Sequence, residues 1–247
     1  MRALFSSLTI VLAIFLVIPG CDSNTSPIDV TGTVSEEDAA AVIGAALAGS
    51  QSTGGLTAQL QEIVLLANAG GPLSKISAAA RPQADTTIVL QKSDGLYTYS
   101  YTLHLSYAFA SANLLQVQFS MRGVYDTPRM GSDDSSAAAI DVTNILGGDV
   151  LTFNGTYDRY GTQQIKNQNQ DAFQSTINAR LANVNVGKAT GIPVSGTITF
   201  NVTIAHSGGA SITFISVVTF NGDETATISV NAKSFTVNLI TGVIVPA

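Results

Sequence analysis

From Asp85 to the C-terminus the chain alternates apolar and polar residues with a period of two, and this fixes what it can fold into. The alternation is strictest where Val194, Ile198, Phe200, Val202 and Ile204 share one parity and Ser195, Thr197, Thr199, Asn201 and Thr203 the other. Successive side chains of a strand point to opposite faces, so such a segment packs one face and leaves the other wet. Strands are expected at Thr86–Lys92, Leu96–Phe109, Leu114–Tyr125, Ala138–Ile145, Val150–Tyr157, Ala172–Val186, Val194–Ala205, Ala210–Asn221, Thr225–Asn231 and Ser234–Leu239. Ser93-Asp94-Gly95, Gly147-Gly148-Asp149, Gly208-Gly209 and Asn221-Gly222-Asp223 separate them, and links this short join antiparallel neighbours. Asp126–Ser135 is a mostly polar stretch and reads as a loop. The expected fold is mainly β: about ten antiparallel strands in a meander, forming a β-sandwich or a curled half-barrel.

Two short helices precede the strands. Ser35 is placed to cap the first, with Glu36, Glu37 and Asp38 in its first turn, where acids complement the helix dipole. Val42, Ile43, Ala46 and Leu47 follow at helical spacing, which predicts an amphipathic helix ending near Gly49. A second helix is predicted over Thr57–Asn68, with Leu60, Ile63, Val64 and Ala67 as its apolar face and Gly70-Gly71-Pro72 as its stop. The Ala-rich stretch Leu73–Ala84 is read as a connector.

The N-terminus has the layout of an export leader. Arg2 supplies a positive start, Leu8–Ile18 an apolar run too short to span a bilayer, and Cys21 is the chain's one cysteine. Ile18-Pro19-Gly20-Cys21 resembles the lipobox of bacterial lipoproteins. The resemblance implies cleavage before Cys21, acylation of its thiol and attachment to a membrane leaflet. Residues 1–20 are then the signal peptide, 21–34 a lipidated tether, and 35–247 a single domain, with helices in 35–70 and the β-region in 85–245. Asp22 follows the cysteine; in enteric bacteria that residue marks retention in the inner membrane, but other phyla do not follow the rule. Inner and outer membranes therefore both stay open, with the domain expected to face the periplasm.

Composition narrows the partners. Loss of the leader removes Arg2 and takes the formal charge from −6 to −7. Nucleic acid is excluded as a partner, because it requires clustered Lys and Arg. Charged residues make up 11% of the chain, against about 25% in typical soluble domains, so Thr, Ser, Asn and Gln supply the wet faces. With Cys21 acylated no disulfide can form.

Motifs for chemistry are absent. There is no Gly-x-Ser-x-Gly, Ser-x-x-Lys, His-Glu-x-x-His or zinc-type Cys/His spacing. His104 and His206 lie on or at the ends of predicted strands without a second ligand, and His104 falls on the polar parity beside Thr98, Ser100 and Thr102. Most aspartates, Asp158 included, fall in predicted turns, and Asp133-Asp134 in the polar loop reads as a solvated turn with calcium as the alternative. No enzyme activity, metal or cofactor is expected.

One pattern has two readings. Tyr97, Tyr99, Tyr101 and Tyr107 share a strand face with Leu103, Leu105 and Phe109. They serve either as core packing with phenols at the rim, or as the wall of a cavity for an apolar ligand. The function expected is accordingly a membrane-anchored envelope lipoprotein, a structural or interaction module meeting another envelope protein. The alternative is a carrier or binding module holding a hydrophobic ligand within the curved sheet.

Overall fold

A computed structural model describes residues 34–49, 53–69, 83–166, 172–206 and 211–247. The leader, Cys21 and the tether up to residue 33 lie outside the described residues, as does most of the Leu73–Ala84 connector. Helices α1 (Glu36–Leu47) and α2 (Leu56–Ala69) come first. Eleven strands follow: β1 (Gln83–Ser93), β2 (Thr98–Ser111), β3 (Leu114–Asp126), β4 (Met130–Thr143), β5 (Val150–Ile165), β6 (Ala172–Gly187), β7 (Pro193–His206), β8 (Ser211–Phe220), β9 (Thr225–Val230), β10 (Lys233–Asn238) and β11 (Ile244–Pro246). All belong to one antiparallel sheet in sequence order, which is not closed. Of the two forms expected, the single sheet is the one observed.

The sheet curls, and two adjacent residues demonstrate it. Glu36 pairs with Lys233 at 3.2 Å, beside the β9–β10 turn, while Glu37 pairs with Arg129 at 3.0 Å in the β3–β4 turn. Six strand spacings in a flat sheet would hold those turns about 29 Å apart. Register shifts between Phe153 and Gly155 on β5 and between Ala182 and Asn185 on β6 fall on neighbouring strands, and bulges of this kind add local twist and bend.

The helices lie against the packed face. α1 begins at a capping box: Asp38 N–H donates to Ser35 Oγ at 3.2 Å, and Ser35 N–H donates back to the Asp38 carboxylate at 3.0 Å. It ends where Gly49 N–H donates to the Leu239 carbonyl at 2.7 Å, fastening it to the end of β10. The predicted amphipathic pattern is not what forms. Every residue from Ala39 to Leu47 is buried, because small alanines let neighbours close on all sides, and a helix apolar all round is a buried one. Where α2 starts, a Cβ on Gly55 would sit 2.5 Å from the Ala46 carbonyl oxygen, so the helices approach too closely there for a side chain. α2 buries its predicted face, with Leu60 and Ile63 at 0% exposure, and presents Leu65 to solvent.

Two expectations are corrected. Asp126–Ser135 is not a loop, since β4 starts at Met130; from Gly131 to Ser136 it carries no apolar side chain on either face, which hides a strand from a search for apolar alternation. Asp158 likewise lies on β5, not in a turn. The short β11 was not expected at all.

Candidate functional site

The polar run of β4 builds the site. Ser132, Asp134 and Ser136 share the inward parity with Ala138, Ile140 and Val142, and all six are buried. In the register of the sheet, Tyr101 on β2 stands opposite Gly123 on β3, Gly123 opposite Asp134, Asp134 opposite Gly161 on β5, and Gly161 opposite Ser175 on β6. The two glycines make this row possible. A Cβ on Gly123 would lie 2.5 Å from the Tyr101 ring, and one on Gly161 would lie 2.5 Å from the Asp134 Cβ. Tyr101 therefore folds over Gly123 toward Asp134, and Gly161 leaves space on the other side of the aspartate.

Asp134 holds the centre. Arg159 Nη2 lies 2.6 Å from its Oδ2, with side-chain exposures of 3% and 0% for arginine and aspartate. The same oxygen accepts from Ser132 Oγ at 3.0 Å and, at the long distance of 3.4 Å, from the Tyr101 hydroxyl. Gln163 Nε2 donates to Ser132 Oγ at 3.0 Å. The Arg159 guanidinium sits 5.4 Å from the centre of the Tyr125 ring, within cation–π range. Gln59 of α2 covers the cluster, its amide nitrogen 3.5 Å from Met121 Sδ. Around the pair, Gln59 Oε1, Asp134 Oδ1, Ser136 Oγ, the Tyr157 hydroxyl, Gln163 Oε1 and Ser175 Oγ are buried without a protein partner. Groups like these are commonly satisfied by buried water.

Electrostatics makes the cluster static near neutral pH. Burial pushes the Tyr101, Tyr125 and Tyr157 phenols up, with Arg159 opposing the shift. For Arg159, burial disfavours the charge, but the Asp134 carboxylate and the three phenols outweigh it and raise its pKa well above the ordinary value. The phenols stay protonated and the guanidinium charged, so none of them serves as a base at neutral pH.

The tyrosine stripe divides. Tyr99 and Tyr101 are buried, their ring centres 5.9 Å apart. Tyr107 is half-buried at the rim, edge-on to Phe109 at 6.5 Å. Tyr97 precedes β2 and stands in the β1–β2 hairpin, with Lys92 Nζ 5.3 Å from its ring centre. It also lines a small apolar cavity of about 190 Å³ at the seam of the curled sheet. Ala41 and Ala45 of α1, Pro128, Met130, Val243 and Ile244 form the rest of its apolar lining, and Arg129 stands beside them.

His104 faces outward, its Nδ1 3.0 Å from Thr87 Oγ1, in an open polar hollow of about 730 Å³ across β1–β5. His206 ends β7, and its side chain is outside the described residues. Asp133 is exposed on the outer parity of β4 while Asp134 points inward, so the two acids do not converge on one ion. Among the described residues, no three His, Cys, Asp or Glu side chains gather as metal ligands. No helix among them is long and apolar enough to cross a membrane. Reading the Ala138–Val142 parity back through the polar run would have placed Asp134 inside, and Tyr157 marks the parity of Arg159. The pairing of the two depends on strand order. Comparison with protein-family models, with curated proteins and with solved structures returns no match.

Proposed function

We propose that this chain is a non-catalytic module of a bacterial cell envelope, tethered through an acylated Cys21 and working by contact with another envelope component. The observation that carries this reading is the occupation of the packed face by the domain's own helices. α1 is enclosed from Ala39 to Leu47, and the polar groups beneath α2 are sealed from solvent. What remains for an encounter is the outer face, where Thr199, Asn201, Thr213, Thr219 and Ser229 stand in solvent. The tether rests on Ile18-Pro19-Gly20-Cys21. Its test is Cys21→Ser expressed in a bacterial host, followed by fractionation and labelling with radioactive palmitate. The unmodified chain takes label and sediments with membranes, while Cys21→Ser loses the label and accumulates unprocessed or in the soluble fraction. Label on the variant overturns the anchor.

The seam cavity supports a second reading, an apolar-ligand module. Its small alanine floor leaves room for a slender apolar group, with Arg129 and Tyr97 at hand for a polar end. Native mass spectrometry after incubation with envelope lipid extract separates the two: a stoichiometric adduct that Ala45→Phe removes favours the ligand module, and an unchanged mass favours the contact module.

A further inference from the structure

We infer that β1 is the contact through which two copies of this chain join, strand to strand and antiparallel across a twofold axis. An open sheet has two edges, and here they are unequal. β11 pairs with β10 over three residues and includes Pro246, so it offers almost no template for a further strand. β1 is eleven residues long, pairs along its whole length with β2, and among the described residues has no strand on its other side. It contains neither Pro nor Gly, the residues that most often blunt an edge.

The outer face of β1 is exposed, and its inner face is buried only toward Leu90. Asp85, Thr87 and Val89 on the outer parity are exposed, and so is Thr86 on the inner parity, whereas inward residues of the interior strands are buried. Among the described residues no strand pairs with its outer row of backbone N–H and C=O groups, and a row of this length, rich in β-branched residues, is a template for pairing.

The sequence of the edge favours a second copy over a foreign strand. Asp85 is the one charged residue between Gln83 and Gln91. Antiparallel self-pairing centred on Ile88, the midpoint of β1, overlaps the whole strand and sets Asp85 opposite Gln91, so no like charges meet. In that register Thr87 and Val89 face one another on the outer side, a pairing that stabilises neighbouring strands. Closure agrees with this. A twofold contact uses the one long edge among the described residues of each copy, and the assembly stops at two with β11 at both outer ends.

The test uses the chain from Asp22 onward, which keeps every described element and has no cysteine. Sedimentation velocity across a concentration series is expected to give a monomer–dimer equilibrium. Thr87→Lys with Val89→Lys, both at exposed positions, is expected to weaken it at least about tenfold by opposing like charges across the axis. Circular dichroism checks that this variant is folded. Single cysteines provide a readout that does not depend on it. Of Thr86→Cys, Thr87→Cys and Ile88→Cys, the one nearest the axis should form an intermolecular disulfide on mild oxidation, while Thr199→Cys on the outer face of β7 should not. A monomer at all concentrations overturns the proposal. So does a dimer whose affinity the paired lysines leave unchanged, or cross-linking at Thr199→Cys in place of β1.

Discussion

Replacing Arg159 with methionine would leave the Asp134 carboxylate, which has no solvent exposure, with only the Ser132 and Tyr101 hydroxyls as donors. Breaking a buried ion pair at one partner costs about 3–5 kcal/mol, because the remaining charge is stranded. Asp134→Leu strands the guanidinium instead and is expected to cost a similar amount. Against a domain stability of about 5–15 kcal/mol, either loss is a large fraction of the whole. The double replacement removes both charges and leaves two apolar side chains of similar bulk in their place, so it should cost less than about 1 kcal/mol. Part of that residue is the lost partner of Ser132. The coupling energy is then at least about 5 kcal/mol. Urea unfolding followed by circular dichroism measures it, with the slope checked for constancy so that midpoints report stability. If the double variant loses the sum of the two single losses to within about 0.5 kcal/mol, the charges do not sense each other, and the sealed pair described above is wrong.

Other outcomes follow from neighbouring geometry. Gly161→Ala drives a Cβ to 2.5 Å from that of Asp134 and should cost about 1–3 kcal/mol, as overpacking does, read in the same urea assay. Tyr101→Ala, at 1% exposure, should cost about 3–5 kcal/mol, whereas Tyr107→Ala at the rim should cost clearly less; equal losses would contradict the division of the stripe. The Asp94 carboxyl in the β1–β2 turn is held down to about 2, first by Lys92 and then by the Tyr97 and Leu96 amides. Because its pKa is depressed on folding, its contribution is complete above about pH 4, the unfolded range, and is lost as pH falls toward 2. A carboxyl-detected NMR titration that places Asp94 near pH 4 would refute this.

Much of the architecture is legible in the sequence because a half-buried antiparallel strand prints its burial as alternation. Thr197–Ile204 and Leu114–Tyr125 could be read directly, and Ser35 with Asp38 announced the start of α1. What stayed hidden had physical reasons. Between Gly131 and Ser136 β4 is polar inside and out, since Ser132 and Asp134 serve an ion pair instead of the apolar core. α1 looks amphipathic by its larger residues, yet its alanines are buried too, and only the curl of the sheet decides that. Asp134 and Arg159 lie on neighbouring strands whose pairing is a property of the sheet, so neither residue carries a local signal of the other.

The account as a whole, a lipid-tethered module that fills its own curved sheet, is tested most directly by native mass spectrometry of the protein extracted from bacterial membranes. It predicts a polypeptide beginning at Cys21, heavier by covalently bound acyl groups, and carrying no stoichiometric non-covalent apolar adduct. A chain of unmodified mass, or one that begins elsewhere, contradicts the tether; an apolar molecule retained at one per chain contradicts the filled interior.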